Sequence, residues 1–259
     1  MPYRWEVGAK RYRDTETGRF LSRESALQMV DESLRAGRSA TSTLAGMVAD
    51  GTISAADWRD KMRQEIKGEY IRQYLSAIGG LAVMTQADWG SIGGMLVEQY
   101  KYLDGFYADV AGGNLTEGQI AARAGMYINS AREANERAHG RSQGMPEGAL
   151  PAHPADGSSE CLTNDRCHWE IETVLADDRT VSHWNAYWRL SDAEHCSTCL
   201  ERATSWSPYV VKAGARSHNT VRRFAPDYTW KHGRSCVCGH CSEARRSAPE
   251  GRVASWQNT

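Results

Sequence analysis

Cysteine is missing from the first 160 residues, and the 259-residue chain has only three phenylalanines and seven prolines. A cysteine-free stretch of that length has neither disulfides nor thiolate-bound metal to hold it, so side-chain packing must do so. Long apolar runs are missing too. The least polar region, 75–97, is broken by Asp88 and by glycines. A bilayer span needs roughly 20 apolar residues, so no transmembrane helix is expected. The opening MPYRWEVGAKRYRD has no apolar core of the secretory type. Neither H-E-x-x-H nor a P-loop occurs, which removes the usual zinc-protease and phosphate-loop chemistries. Net charge is small, with 31 Lys/Arg against 32 Asp/Glu. The balance is uneven: from Lys212 onward nine basic residues face three acidic ones. A basic tail on an acidic body suits phosphate or an acidic partner, although a solvated tail has the same composition.

What is present begins with three helix starts. ISAADW (53–58), MTQADW (84–89) and LTEGQI (115–120) share one grammar, with an apolar residue, a hydroxyl cap and an apolar residue further on. Ser54, Thr85 and Thr116 are the expected N-caps. Ile53 with Trp58, Met84 with Trp89, and Leu115 with Ile120 are the expected hydrophobic staples. Asp57 and Asp88 are shorter than the usual Glu, so reciprocal capping is less expected there. The first helix carries Trp58, Met62, Ile66, Tyr70 and Tyr74 on one stripe; the second carries Trp89, Ile92, Leu96, Leu103, Tyr107 and Val110. A third helix is expected over about 117–139, with Ile120, Ala124, Ile128, Ala131 and Ala138 inward. Gly79-Gly80 and Gly112-Gly113 read as C-terminal stops. The 31-residue spacing of the caps fits three like-sized bundle helices better than an internal repeat, because similarity beyond the caps is slight. Upstream, 22–36 and 41–49 read as two shorter helices, and 12–22 as a short hairpin or an extended arm. The organisation is thus an arm over 1–21 and a helical scaffold over 22–140.

The Gly-, Pro- and Ser-rich stretch 140–160 reads as a boundary, with a linker over 141–160 and His153 an exposed loop side chain. A cysteine-rich module follows over 161–211. All seven cysteines (161, 167, 196, 199, 236, 238 and 241) lie in this module or the tail. An odd number in close pairs favours metal ligation over disulfides. HWEIETVL and TVSHWNAYWRL, joined by an ADDR turn, make a β-hairpin. Cys161 and Cys167 precede it; Cys196 and Cys199 follow it. A hairpin brings its own ends together, so these four sulfurs are expected to surround one tetrahedral structural Zn2+. Four thiolates close the coordination sphere and leave no place for a reactive water. In the basic tail, 212–259, Cys236, Cys238 and Cys241 with His232 form a candidate second knuckle. RRFAPDYTWKHGR mixes basic and aromatic residues in the manner of DNA-contacting surfaces. The fold class expected is α+β: a mainly helical scaffold followed by a zinc-ribbon-like hairpin module.

LPAHPADGSSECLTNDRCHWEI and SDAEHCSTCLERATSWSPYVV, together with RYRDTETGRFLS, DWGSIGGMLVEQYKYLDGF and AGMYINSAREANERA, resemble the minor head (head morphogenesis) proteins of tailed phages, the broad Mu F-like group. The resemblance covers roughly residues 10–211. Its cysteine block often reads Cys-x3-Cys-x-Cys before the Trp; here the middle position is Asp165, which leaves Cys161 and Cys167. The resemblance implies a non-enzymatic minor virion component, present in few copies. It would associate with the portal and other head proteins, in the virion and in the host cytoplasm during assembly, without a membrane partner. Two alternatives come from the residues themselves. One is a zinc-dependent nucleic-acid-binding protein. The other is a zinc deaminase, because His168-Trp169-Glu170 and Cys196-x2-Cys199 match much of H-x-E…P-C-x-x-C. There His168, Cys196 and Cys199 would hold zinc and Glu170 would shuttle protons. Against it stand His195 in the proline's place, strand-like sequence after HWE, and Cys161 and Cys167 left without a role.

Overall fold

The structure is a computed structural model, and its described residues are 3–214 with 221 and 222. The chain opens with β1 (Tyr3–Glu6), β2 (Arg11–Asp14) and β3 (Phe20–Leu21), an antiparallel sheet in that order. The β2–β3 hairpin forms because the Asp14 carboxylate accepts from the backbone N–H groups of Glu16 and Thr17, each at 2.8 Å. Gly18 then turns the chain at a φ of 70°. Tyr3, Trp5 and Tyr12 face inward onto the helices.

Helix α1 (Arg23–Ala49) runs unbroken where two shorter helices were expected. Gly37 does not stop it, because α4 packs there. A Cβ at Gly37 would meet Ile128 Cγ2 at 2.8 Å, so close helix approach decides this position rather than propensity. Helix α2 (Ala55–Ile78) is central, and Trp58, Met62, Ile66, Tyr70 and Tyr74 are all fully buried. Ser54 caps it as expected, and Gly79 ends it in the left-handed region. Helix α3 (Gln86–Ala111) buries Ile92, Leu96, Leu103 and Val110, and also Met95 and Phe106. Trp89 departs from its expected inward place and is 38% exposed. Its neighbour Asp88 takes the inward position, accepting from the Tyr74 hydroxyl (2.7 Å), the Thr85 backbone N–H (2.8 Å) and Arg141 (3.3 Å). The same bonds complete a capping box despite the short side chain, as Thr116 and Gln119 do for the next helix.

The third expected helix is two: α4 (Glu117–Asn129) and α5 (Arg132–Ser142). Ser130 sits at the break. Its hydroxyl donates back to the Tyr127 carbonyl at 2.7 Å and accepts from Tyr70 at 2.9 Å, which competes with helical continuation. The five inward residues named for this segment are all buried.

After α5 the segment expected to be a linker is packed core. Met145, Ala149, Leu150 and Ala152 pack with Trp169, Trp184, Trp188, Trp206 and Tyr209. Buried indole N–H groups need acceptors, and this segment supplies carbonyls for two of them. Trp169 Nε1 donates to Ala152 O and Trp184 Nε1 to Gln143 O, both at 2.9 Å. His153 is correspondingly only 5% exposed, not a free loop side chain. Trp169 comes from β4 (His168–Leu175) and Trp184 and Trp188 from β5 (Val181–Arg189), which form the expected hairpin. Helix α6 (Ser197–Ser205), β6 (Tyr209–Lys212) and β7 (Val221–Arg222) follow, and the sheet order is β4-β5-β6-β7.

One buried carboxylate joins the parts. Glu136 of α5 has a side chain 0% exposed; Arg23 of α1, 14% exposed, donates to it at 2.6 Å. Its second oxygen accepts from the Trp169 backbone N–H of β4 at 3.1 Å. Arg23 also donates to the Tyr12 hydroxyl at 2.8 Å. That hydroxyl lies 2.8 Å from His139 Nδ1, whose ring burial and the nearby Arg23 charge keep neutral. Replacing Glu136 by Ala leaves the Arg23 charge and the Trp169 N–H without an acceptor. It is expected to lower stability by roughly 3–5 kcal/mol, and Glu136→Gln by less, as read from urea unfolding midpoints.

Candidate metal centre

The hairpin register pairs His168 with Arg189, so the chain segments entering β4 and leaving β5 start side by side. Cys161 leads into a 3-10 turn, Leu162–Asn164, and Cys167 immediately precedes β4. Cys196 caps α6 and Cys199 lies in its first turn. All four cysteines are free thiols, with Cys167 and Cys199 buried and Cys161 and Cys196 half-buried. The sulfurs of Cys161, Cys196 and Cys199 lie within 4.8 Å of one another. A second triplet within the same limit joins Asp165, Cys167 and Cys199. Cys199 belongs to both, so all four expected sulfurs gather about it.

This donor set can hold a metal ion. Thiolates around a tetrahedral zinc sit about 3.8 Å apart for a Zn–S bond of about 2.3 Å; Cys161, Cys196 and Cys199 already lie within 4.8 Å of one another, whereas Cys167 approaches that set through Cys199. Soft sulfur donors select zinc-like ions over Mg2+ or Ca2+. The ordinary work of Asp165 is visible in its bonds. Oδ1 accepts from the Cys167 backbone N–H at 3.0 Å; Oδ2 accepts from Ser159 Oγ at 3.0 Å and faces the Cys199 thiol at 3.4 Å. It shapes the turn and orients two sulfurs, the kind of outer support that tunes a metal site. His195 adds a second neighbour. Its Nε2 is 2.9 Å from the Ser191 carbonyl and so carries the proton, which leaves Nδ1 as an acceptor 3.9 Å from Cys167 Sγ.

The thiols act on one another's ionisation through short contacts. The Cys199 thiol is pushed far up by its hydrogen bond with Cys167, by burial and by the Asp165 charge. Burial also raises Cys161, beside Cys196. Burial opposes ionisation of Cys196 as well, but the backbone N–H of Cys199 and the neighbouring thiols hold its pKa below the usual thiol value. Ionisation of Cys161 and Cys199 is therefore opposed until a cation arrives.

The deaminase halves do not meet. His168 lies outside both triplets and interacts with Glu136, Arg23 and Arg132 at the helical body. Glu170 pairs with Arg189 on the exposed face of the hairpin. The segment after HWE is a strand. Gly140-Arg141-Ser142-Gln143-Gly144 spells the hydrolase pattern G-x-S-x-G, but it closes α5, and the Ser142 hydroxyl donates to the His139 carbonyl at 2.7 Å. No strand-to-helix elbow forms there. Sequence reasoning placed the four sulfurs but assigned no work to Asp165 or His195. The Asn164-Asp165 turn signal ahead of Cys167 is what marks the first. Cys236, Cys238, Cys241 and His232 lie outside the described residues.

Comparison with protein-family models, with curated proteins and with solved structures finds no match to this chain.

Because Cys199 is common to both triplets, Cys199→Ser is expected to abolish metal binding at this centre. Asp165→Asn is expected to retain the ion with affinity about 10–100-fold lower, measured by competition with a chromogenic chelator. Raised thiol pKa values mean that metal entry displaces protons. Affinity therefore falls as pH falls below neutrality, about tenfold per pH unit for each proton displaced, in the same assay run from pH 8 to pH 6.

Proposed function

We propose that the chain is a zinc-stabilised structural component of a tailed-phage head, acting by docking rather than by catalysis. The observation that carries the metal part is the gathering of Cys161, Cys167, Cys196 and Cys199 at the open end of the hairpin. A tetrahedral ion held by four sulfurs has no free position for a reacting water, and its binding energy goes into rigidity. A two-stranded hairpin is marginal alone. Here the ion would brace the hairpin's entry and exit, and the tryptophan core would seat it on the helical body.

Support for the head role is the likeness of the cysteine block, the N-terminal hairpin motif and the helical stretches to minor head proteins. In this reading the helical body offers the surface for the portal and other head proteins, and the braced module keeps that surface in one shape. The basic tail reaches DNA or an acidic neighbour. The working places are the host cytoplasm during assembly and the finished virion.

Two measurements test the reading. Purified chain should carry zinc, and its Tm should drop steeply in strong chelator and in Cys199→Ser. Zinc-loaded chain, but not Cys199→Ser, should co-sediment with portal rings from a phage whose genome encodes this chain. Full thermal stability in chelator would overturn the metal role. Failure of the loaded chain to bind portal or procapsid would overturn the head role.

A further inference from the structure

We propose that Arg35, Arg38 and Arg166 form a binding patch for the phosphodiester backbone of nucleic acid. Arg35 and Arg38 lie one turn apart on α1, and Arg166 comes from the turn between Asp165 and Cys167. Arg38 is built into place. Its stem lies against Gly125 of α4, where a Cβ would meet Arg38 Cδ at 3.4 Å and Cγ at 3.5 Å. Its Nη1 donates to Asn129 Oδ1 at 2.6 Å, and Asn129 donates in turn to Asn164 Oδ1 at 2.9 Å. This chain of amides ties α1, α4 and the cysteine turn together under one guanidinium. Arg35 and Arg166 are exposed.

The three cations crowd one another. Burial first, and then the Arg166 and Arg35 charges, lower the Arg38 pKa from its ordinary value. The acid nearby, Asp31, is committed to the buried Arg132. Among the described residues none of the three arginines forms an ion pair. Like charges held together, with no carboxylate but the shared Asp31 acting on Arg38, store repulsion that an arriving anion relieves.

The occupant follows from charge density. A lone carboxylate serves one guanidinium, whereas each strand of a nucleic acid offers about one phosphate per 3.4 Å of axis. Guanidinium groups also bind phosphate oxygens in a two-pronged geometry. Residues 215–259 carry eight Lys/Arg and three Asp/Glu, so this chain's own tail is the wrong sign to cover the patch. Guanidiniums and amides without a stacking ring read the backbone and not the bases. The patch does not depend on which metal, if any, the neighbouring sulfurs hold.

The test is fluorescence anisotropy of labelled 30-nucleotide single- and double-stranded DNA with the full chain and with Arg35→Ala/Arg166→Ala. Both residues are exposed, and an unchanged Tm checks the fold. The double variant should bind roughly tenfold more weakly at low salt and show a salt dependence shallower by about two released counterions. Asn129→Ala, which frees Arg38 from its seat, should weaken binding less. Absence of DNA binding by the parent chain overturns the proposal. So does an unchanged affinity and salt slope in the double variant, which would assign binding to other residues. Competition by polyglutamate equal to that by DNA would overturn it too, because an acidic protein would then be the partner.

Discussion

The carboxylate of Glu136 is the constraint around which the molecule is arranged. A charge with no access to water must be met by an opposite charge and by hydrogen bonds, or the fold does not tolerate it. Arg23 meets it from the start of α1, and the Trp169 amide meets it from the first strand of the hairpin. Through Arg23 the N-terminal sheet is drawn in as well, since Tyr12 shares that guanidinium. Two separate cores, that of the helices with the N-terminal sheet and that of the tryptophan-rich module, thus share one electrostatic centre. An ion held by the cysteine cluster would brace a module whose position this centre already sets.

The apolar parts of the fold were legible because they follow simple periods. Trp58 through Tyr74 repeat every four residues, and all five are buried. The hairpin was legible from two β-rich runs around a short turn, and the gathering of four sulfurs from the topology of that hairpin. What escaped reading was polar. Helix α5, REANERAHGRS, has the composition of a solvated surface helix, yet Arg132, Glu133, Asn135, Glu136 and His139 are buried. Glu133 pairs with Arg137 one turn on, but the partners of the other four are distant in sequence, so no local pattern announces them. The same blindness made 141–160 look like a linker. Its glycines and prolines are real turn signals, but the acceptors for two indole N–H groups lie there, and composition does not record that use.

The cysteine centre shows a related division. Sulfur spacing identifies the donors, while the residues that aim them are identified only by distance. Asp165 stands between Cys161 and Cys167, inside the first cysteine pair. In this chain it holds the turn through Cys167 and Ser159. A carboxylate there keeps the geometry of the turn while changing the charge beside the sulfurs, so the protonation of the cluster is set partly by a side chain that need not touch the ion.

The long reach of the buried network also orders events during synthesis. Tyr3, Tyr12 and Arg23 find their partners on α5, 113 to 132 residues downstream. A ribosome adding about 5–20 residues per second needs on the order of ten seconds to deliver that helix. Until then the aromatic faces of β1 and β2 have only α1 and α2 to rest on, and the Arg23 guanidinium lacks its carboxylate. The N-terminal sheet therefore completes its network only after α5 is made.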